Sequence, residues 1–277
     1  MYGNGSRKDL VLLSKSIDAS YIDNQQSFAY HLRYENQSLI HFERQLTCTS
    51  VLGIYMKTFV FYLKRLARAN KVVYHGRANQ PKVALTFDDG PNPTYTPQIL
   101  ELLKQYNVQA TFFAIGEHVQ AYPQLVRQEY QEGHAVGNHT WTHPHLPEES
   151  RDRIQNELSR TSNVIEQATG TKPVLFRPPY GKVNWNVLKQ SSQQGMTTIL
   201  WSVDTLDWDQ PSRTMDDIVN RALSEVGNGS ILLLHDGGGN RSPTVAALPT
   251  IIINLQQRGY QFVTVQQMIN HLKHIPR

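Results

Sequence analysis

From residue 82 onward, short apolar runs alternate with stretches in which apolar positions recur every three or four residues. The runs at 83–87, 110–115, 134–138, 174–176, 197–203, 230–234 and 261–265 are candidate strands. Helical spacing fills the intervals at 96–106, 119–130, 150–168, 184–194, 215–226 and 243–257, and a last helix starts at 266. Seven strands, each followed by a helix, predict βα units around a parallel sheet. Gly133, Gly170, Gly195 and Gly259 each follow a predicted helix, where glycine takes the left-handed cap without steric cost. Pro123 suits the opening turn of a helix.

Upstream the pattern changes. Residues 1–45 show no clean period, while 46–63 is mainly apolar, broken by Lys57, and runs into Lys64, Arg65 and Arg68. A secretory signal carries its positive charges before the apolar core, so this order is the reverse of one. Three readings stay open for the segment: an apolar helix packed on the domain, a membrane-surface helix, or an anchor. The expected division is an irregular N-terminal extension over 1–75, with membrane or cell-wall contact through 46–71, and a catalytic domain over 76–277.

Composition narrows the picture. Hydrophobic residues make up 39% of the 277 and charged residues 18%, as in a globular protein rather than a disordered one. The net charge of +4 comes from 44–87, where eight basic residues meet no acidic one; the rest of the chain is mildly acidic. Nucleic acid is therefore not an expected partner. Cys48 is the sole cysteine, which excludes an intrachain disulfide and a cysteine-rich zinc site.

Polar residues with chemical potential follow strand after strand: Asp88 and Asp89, His139, Arg177, Asp204 and Asp207, His235 and Asp236. In βα architectures all these strand ends face one mouth. Adjacent carboxylates at 88 and 89 repel, and a cation is the simplest counterweight. His139 and His143 are four apart, which on a helical turn presents both imidazoles to one side. With Asp89 they make a two-histidine, one-carboxylate set with positions open for water and substrate.

The segments TFDDGP (Thr86 to Pro91), HTWTH (His139 to His143), RPPYG (Arg177 to Gly181), DTLDW (Asp204 to Trp208) and LLHD (Leu233 to Asp236) resemble, in order and spacing, the five motifs of NodB-type polysaccharide deacetylases, carbohydrate esterase family 4. The resemblance covers the chain from about residue 81. It implies a distorted (β/α)7 barrel that removes N-acetyl groups from N-acetylglucosamine polymers such as peptidoglycan or chitin. By similarity, Asp89, His139 and His143 would hold a divalent metal, zinc first, with cobalt, nickel or manganese as other fits. Asp88 would be the general base and Arg177 would orient it. His235 would be the general acid tuned by Asp207, ahead of Asp204, and the Tyr180 N–H would help hold the oxyanion. Pro178, Trp208 and Leu233 would line the substrate site. A cell-envelope or secreted location follows from the substrate class alone. Two other functions stay open at this point: a non-catalytic glycan-binding module and an O-acetyl xylan esterase.

Overall fold

The computed structural model describes residues 72–209 and 213–270. The strands are β1 Val72–Val73, β2 Lys82–Asp88, β3 Thr111–Ala114, β4 Ala135–Asn138, β5 Leu175–Phe176, β6 Thr197–Ile199, β7 Val203–Asp204, β8 Ile231–His235 and β9 Gln261–Phe262. The helices are α1 Thr96–Gln105, α2 Gly116–Ala121, α3 Pro123–Gln131, α4 Arg151–Thr169, α5 Trp185–Gln193, α6 Met215–Glu225, α7 Ser242–Gln257 and α8 Val265–Asn270.

The sheet order is β1-β6-β5-β4-β3-β2-β8-β7, with β9 beside the start of β2, and every strand pair is parallel. Only residues 200–202 separate β6 from β7, although these strands lie toward opposite ends of the order. That link is at most about 14 Å long, so the sheet has to curl. The Leu200 N–H donates to Val73 O (2.8 Å) and the Ser202 N–H to Ile231 O (3.0 Å), which ties the link to β1 on one side and β8 on the other. The result is the distorted βα barrel that the resemblance implied, built from the parallel βα units that the alternation predicted. The strand expected over 197–203 is two strands for the same reason: the chain leaves one edge and joins the other within it.

Two further differences are local. The helix expected over 119–130 is α2 and α3, broken at Tyr122 (φ −131°, ψ 53°). Proline bars the preceding residue from the helical region, and Pro123 opens α3 instead. Strand β1, which no pattern announced, pairs with β6 just before the boundary drawn at 75. Gly133, Gly170, Gly195 and Gly259 all have positive φ. The extension, Cys48 and the apolar and basic segment at 46–71 lie outside the described residues.

Strand alternation decides which side chains face where. Val83, Leu85 and Phe87 pack outward in one cluster with Ile99, Leu100 and Leu103 of α1 and with Leu248, Ile251 and Ile252 of α7. Ala84 belongs to a second cluster with Phe113, Ile231 and, from α8, Val265 and Met268. With a side-chain period of two, Thr86 and Asp88 share the barrel-facing side with Ala84. The apolar floor thus sits at the start of β2 and a carboxylate at its end.

Candidate active site

Asp88 ends β2 in register with His235 at the end of β8. The Asp236 and Gly237 N–H groups donate to Asp88 O at 3.1 and 3.3 Å, so the loops after the two strands are tied together. The packing is tight: a Cβ at Gly90 would run into the Asp236 carboxylate, and one at Gly237 into the Asp89 carbonyl. Asp89 itself is left-handed (φ 71°), a region aspartate tolerates better than most residues.

His139 follows β4, its N–H donating to Ala114 O at 3.0 Å. The route to His143 is a bend rather than the helical turn expected from the spacing, with Thr140 (φ 69°) and His143 (φ 58°) both left-handed. The bend has a physical source: side chains of β4 and of the loop itself, and the backbone of α2, satisfy its polar groups instead of a helical ladder. Asn138 Oδ1 accepts from the Thr140 N–H (2.8 Å) and Thr140 Oγ1 from the His143 N–H (3.1 Å). The Thr140 carbonyl accepts from the Gly116 N–H (2.9 Å).

Among the described residues, Asp89, His139 and His143 form a group whose ligand atoms all lie within 4.8 Å of one another. Asp89 Oδ1 is buried without a hydrogen-bond donor and stands 3.4 Å from His139 Nε2 and 3.4 Å from His143 Nε2. Two ligands bound at about 2.0–2.1 Å to one tetrahedral ion are about 3.3 Å apart, so the spacing fits a divalent metal. His139 Nδ1 lies 2.7 Å from Arg177 O, and donation there leaves Nε2 free to act as a ligand. Burial opposes charge on His139, but Asp88 and Asp89 outweigh it and raise its pKa. Burial, with His139 adding to it, pushes His143 down to about 4, which keeps it neutral as a ligand must be. Burial also works against the Asp89 carboxylate, yet the surrounding imidazoles hold its pKa below the usual range.

Arg177 is fully buried. Its Nη1 donates to Asp88 Oδ1 at 2.8 Å and to Thr86 Oγ1 at 2.7 Å, and Nη2 donates to Leu200 O at 3.3 Å. The guanidinium lies 4.2 Å from the Phe113 ring centroid, which leaves Asp88 one fixed orientation. Across the mouth, His235 Nδ1 is 2.7 Å from Asp207 Oδ1, and Asp207 Oδ2 accepts from the His235 N–H and Thr244 Oγ1, both at 2.8 Å. Burial alone would lower His235, but Asp207, aided by Asp89 and Asp88, pushes it up to about 9. Asp204 does not share this contact. Its Oδ1 accepts from the Leu206 N–H (2.9 Å) and from Trp208 Nε1 (3.3 Å), shaping the turn that presents Trp208.

Pro178 precedes the short turn Pro179–Gly181, in which Tyr180 is left-handed (φ 59°). The Gly181 and Lys182 N–H groups close onto Pro178 and Pro179; among the described residues no such bond uses the Tyr180 N–H. The Tyr180 ring stacks on His145 (4.1 Å, 10°) and meets His143 edge-on (4.6 Å). Tyr180 and Trp208 are exposed, 40% and 47%. Leu233 is buried within β8, where its carbonyl accepts from Thr205 Oγ1 at 2.8 Å.

The motifs did not single out Arg241 or Glu157. Arg241 is buried, with Nε on Gly237 O (2.6 Å), Nη1 on Asp207 O (2.8 Å) and Nη2 on Gly238 O (3.1 Å). Glu157 is buried on the face of α4 that carries Ile154, Leu158 and Ile165. An acidic residue inside an apolar stripe was a readable signal for Glu157; Arg241, beyond the last motif, had none.

Known proteins share both the sequence and the fold. The family described as polysaccharide deacetylase matches residues 75–199, a span that ends before Asp207 and His235. A peptidoglycan-N-acetylglucosamine deacetylase of Bacillus cereus is 43% identical over 210 residues, covering 75% of this chain and 97% of that protein. A chitooligosaccharide deacetylase of Azorhizobium caulinodans is 37% identical over 194 residues, covering 66% and 91%. Among solved structures, a crystallised peptidoglycan N-acetylglucosamine deacetylase superposes with a TM-score of 0.69 at 40% identity, covering 72% of this chain and 92% of that one.

Proposed function

The chain belongs to the polysaccharide deacetylase family, carbohydrate esterase family 4, and from that premise we propose that it hydrolyses the N-acetyl groups of N-acetylglucosamine units in peptidoglycan, with Asp88 as base and His235 as acid. The observation that carries the reading is Asp89 Oδ1, buried without a donor and 3.4 Å from two imidazole nitrogens, beside the Asp88–Arg177 pair. Asp89, His139 and His143 would hold the metal, and we assign zinc on the nitrogen and oxygen donors and their tetrahedral spacing. When bound, such an ion polarises an acyl oxygen and makes water more acidic.

The chain's own groups do the rest. Asp88, held by Arg177 with Oδ1 engaged, has Oδ2 to accept a proton from water as it attacks the acetyl carbon. The oxyanion that forms meets the Tyr180 N–H, a donor whose position is set before the reaction begins. An amine leaves poorly unless protonated, and His235, charged at neutral pH because Asp207 faces Nδ1, donates from Nε2. Tyr180 and Trp208 give the sugar rings flat apolar surface to rest on. Acetate release from peptidoglycan and from chitooligosaccharides, with and without chelator, tests the reading. Release that stops with chelator and returns with zinc is expected; no release from either glycan with zinc supplied refutes it. For residues 46–71 we propose attachment to the membrane or wall, so a chain beginning at residue 72 should keep its activity on soluble glycan.

A further inference from the structure

We propose that Glu157 is a positioning residue for the metal-binding histidines: its carboxylate holds the 140–142 loop in the one conformation that aims His139 and His143 at a single ion. The inference rests on the metal-binding reading above.

Asn138 and Thr140 hold the ends of the loop, but not its middle. Thr140 and His143 are both left-handed, a conformation unfavourable for residues with a Cβ and retained only where surrounding contacts impose it. Between them, the Trp141 and Thr142 N–H groups point into α4 and both donate to Glu157 Oε2 at 2.8 Å. Thr142 Oγ1 donates to Oε1 at 3.0 Å, and Arg153, one turn earlier on α4, approaches the same oxygen at 3.0 Å. Arg160 of α4 lies 3.9 Å over the Trp141 ring. Helix α4 thus grips the loop from beneath, while the two imidazoles project from its ends. Glu157 is 1% exposed, so its bonds to the loop are made out of contact with bulk water.

Removing the carboxylate takes the acceptor from two consecutive N–H groups, one buried and one partly buried. The loop then has reason to leave its left-handed conformations, and the 3.4 Å spacing of each Nε2 from Asp89 Oδ1 goes with it. Residues that orient ligands from behind typically alter metal affinity tenfold to a hundredfold. Glutamine at 157 keeps an oxygen for the two N–H groups and an amide for Thr142 Oγ1, whereas aspartate withdraws the carboxylate by one methylene.

The experiment measures zinc affinity of the full chain by competition with a chromogenic chelator, for wild type, Glu157→Ala, Glu157→Gln and Glu157→Asp, with folding checked by circular dichroism. Expected are a zinc Kd weakened at least about tenfold in Glu157→Ala, substantial recovery in Glu157→Gln, and acetate release by Glu157→Ala that rises with added zinc. A folded Glu157→Ala with wild-type zinc affinity overturns the proposal. Should that variant fail to fold, Glu157→Asp carries the test, and unchanged affinity there overturns it equally. A wild-type chain that binds no zinc refutes the metal-site reading itself, which separates the two failures.

Discussion

Replacing Asp207 by asparagine should move the alkaline limit of activity downward, because that carboxylate keeps His235 protonated. His235 stands at about 9 against an ordinary 6.5, a difference worth roughly 3 kcal/mol in favour of the imidazolium. The first cause is opposed in sign: burial favours the neutral ring, and Asp207 at 2.7 Å overcomes it. An asparagine of the same shape leaves burial in place and removes the charge, so His235 falls toward or below 6.5. At pH 7.5 the protonated fraction then drops from nearly all to about a tenth, and kcat should fall about tenfold from titration alone. A bound divalent cation lowers His235 in both proteins, by offsetting Asp88 and Asp89, and so preserves most of the difference. The assay is kcat for acetate release from pH 5 to 10 at saturating zinc, in wild type and Asp207→Asn. The limb should shift down by more than about one unit, with activity partly regained on acidification. A limb that stays in place shows that the titrating acid is not His235. The same linkage applies to stability: the folded value is raised, so the pair's contribution is complete below pH 6.5 and is lost as pH rises through about 9.

Further outcomes follow from other contacts. Arg177→Lys supplies one ammonium where a guanidinium spans Thr86, Asp88 and Leu200; kcat should fall by roughly tenfold or more with KM little changed, and an unchanged kcat would remove Arg177 from the orientation of Asp88. His134 is buried and its Nδ1 accepts from the Ala110 N–H at 3.1 Å, and burial pushes it down to about 4. Its folded value is depressed, so the neutral ring's contribution is present above 6.5 and is lost as pH falls toward 4, by up to roughly 3 kcal/mol; thermal melts of His134→Gln should show a shallower acid slope, and an identical slope contradicts the assignment. Gly237→Ala drives a Cβ into the Asp89 carbonyl and should weaken zinc binding about tenfold. Gly170→Ala, left-handed but with nothing near the added methyl, should cost about 1 kcal/mol of stability and leave acetate release unchanged. Equal zinc affinity in the two glycine variants argues against the close packing at Asp89.

The parts of the site that could be read in the chain are those set by local rules. Asp88 ends, and Asp89 follows, a strand legible as the apolar run from 83 to 87, and His235 ends another. Parallel βα order then sends both to the same mouth. The conformation between His139 and His143 could not be read: a four-residue spacing suggests a helical turn, and the bend arises from Asn138, Thr140 and Glu157, two of which sit beside the histidines and one fourteen residues beyond His143 on α4. Asp204 and Asp207 presented the same difficulty, since both lie in one motif and only the approach of β8 brings Asp207 onto His235.

The chain by itself determined the alternation of strand and helix, the end of the sheet where chemistry gathers, and the residue types that gather there, because period, capping and turn preferences depend on near neighbours. Tertiary structure alone decided the rest. It closed the sheet through residues 200–202, set Asp89 Oδ1 between two imidazoles, brought Asp207 onto His235, and buried Arg241 behind the working groups. Each of these depends on groups distant in sequence meeting within hydrogen-bond or ligand range, and no local pattern encodes that distance.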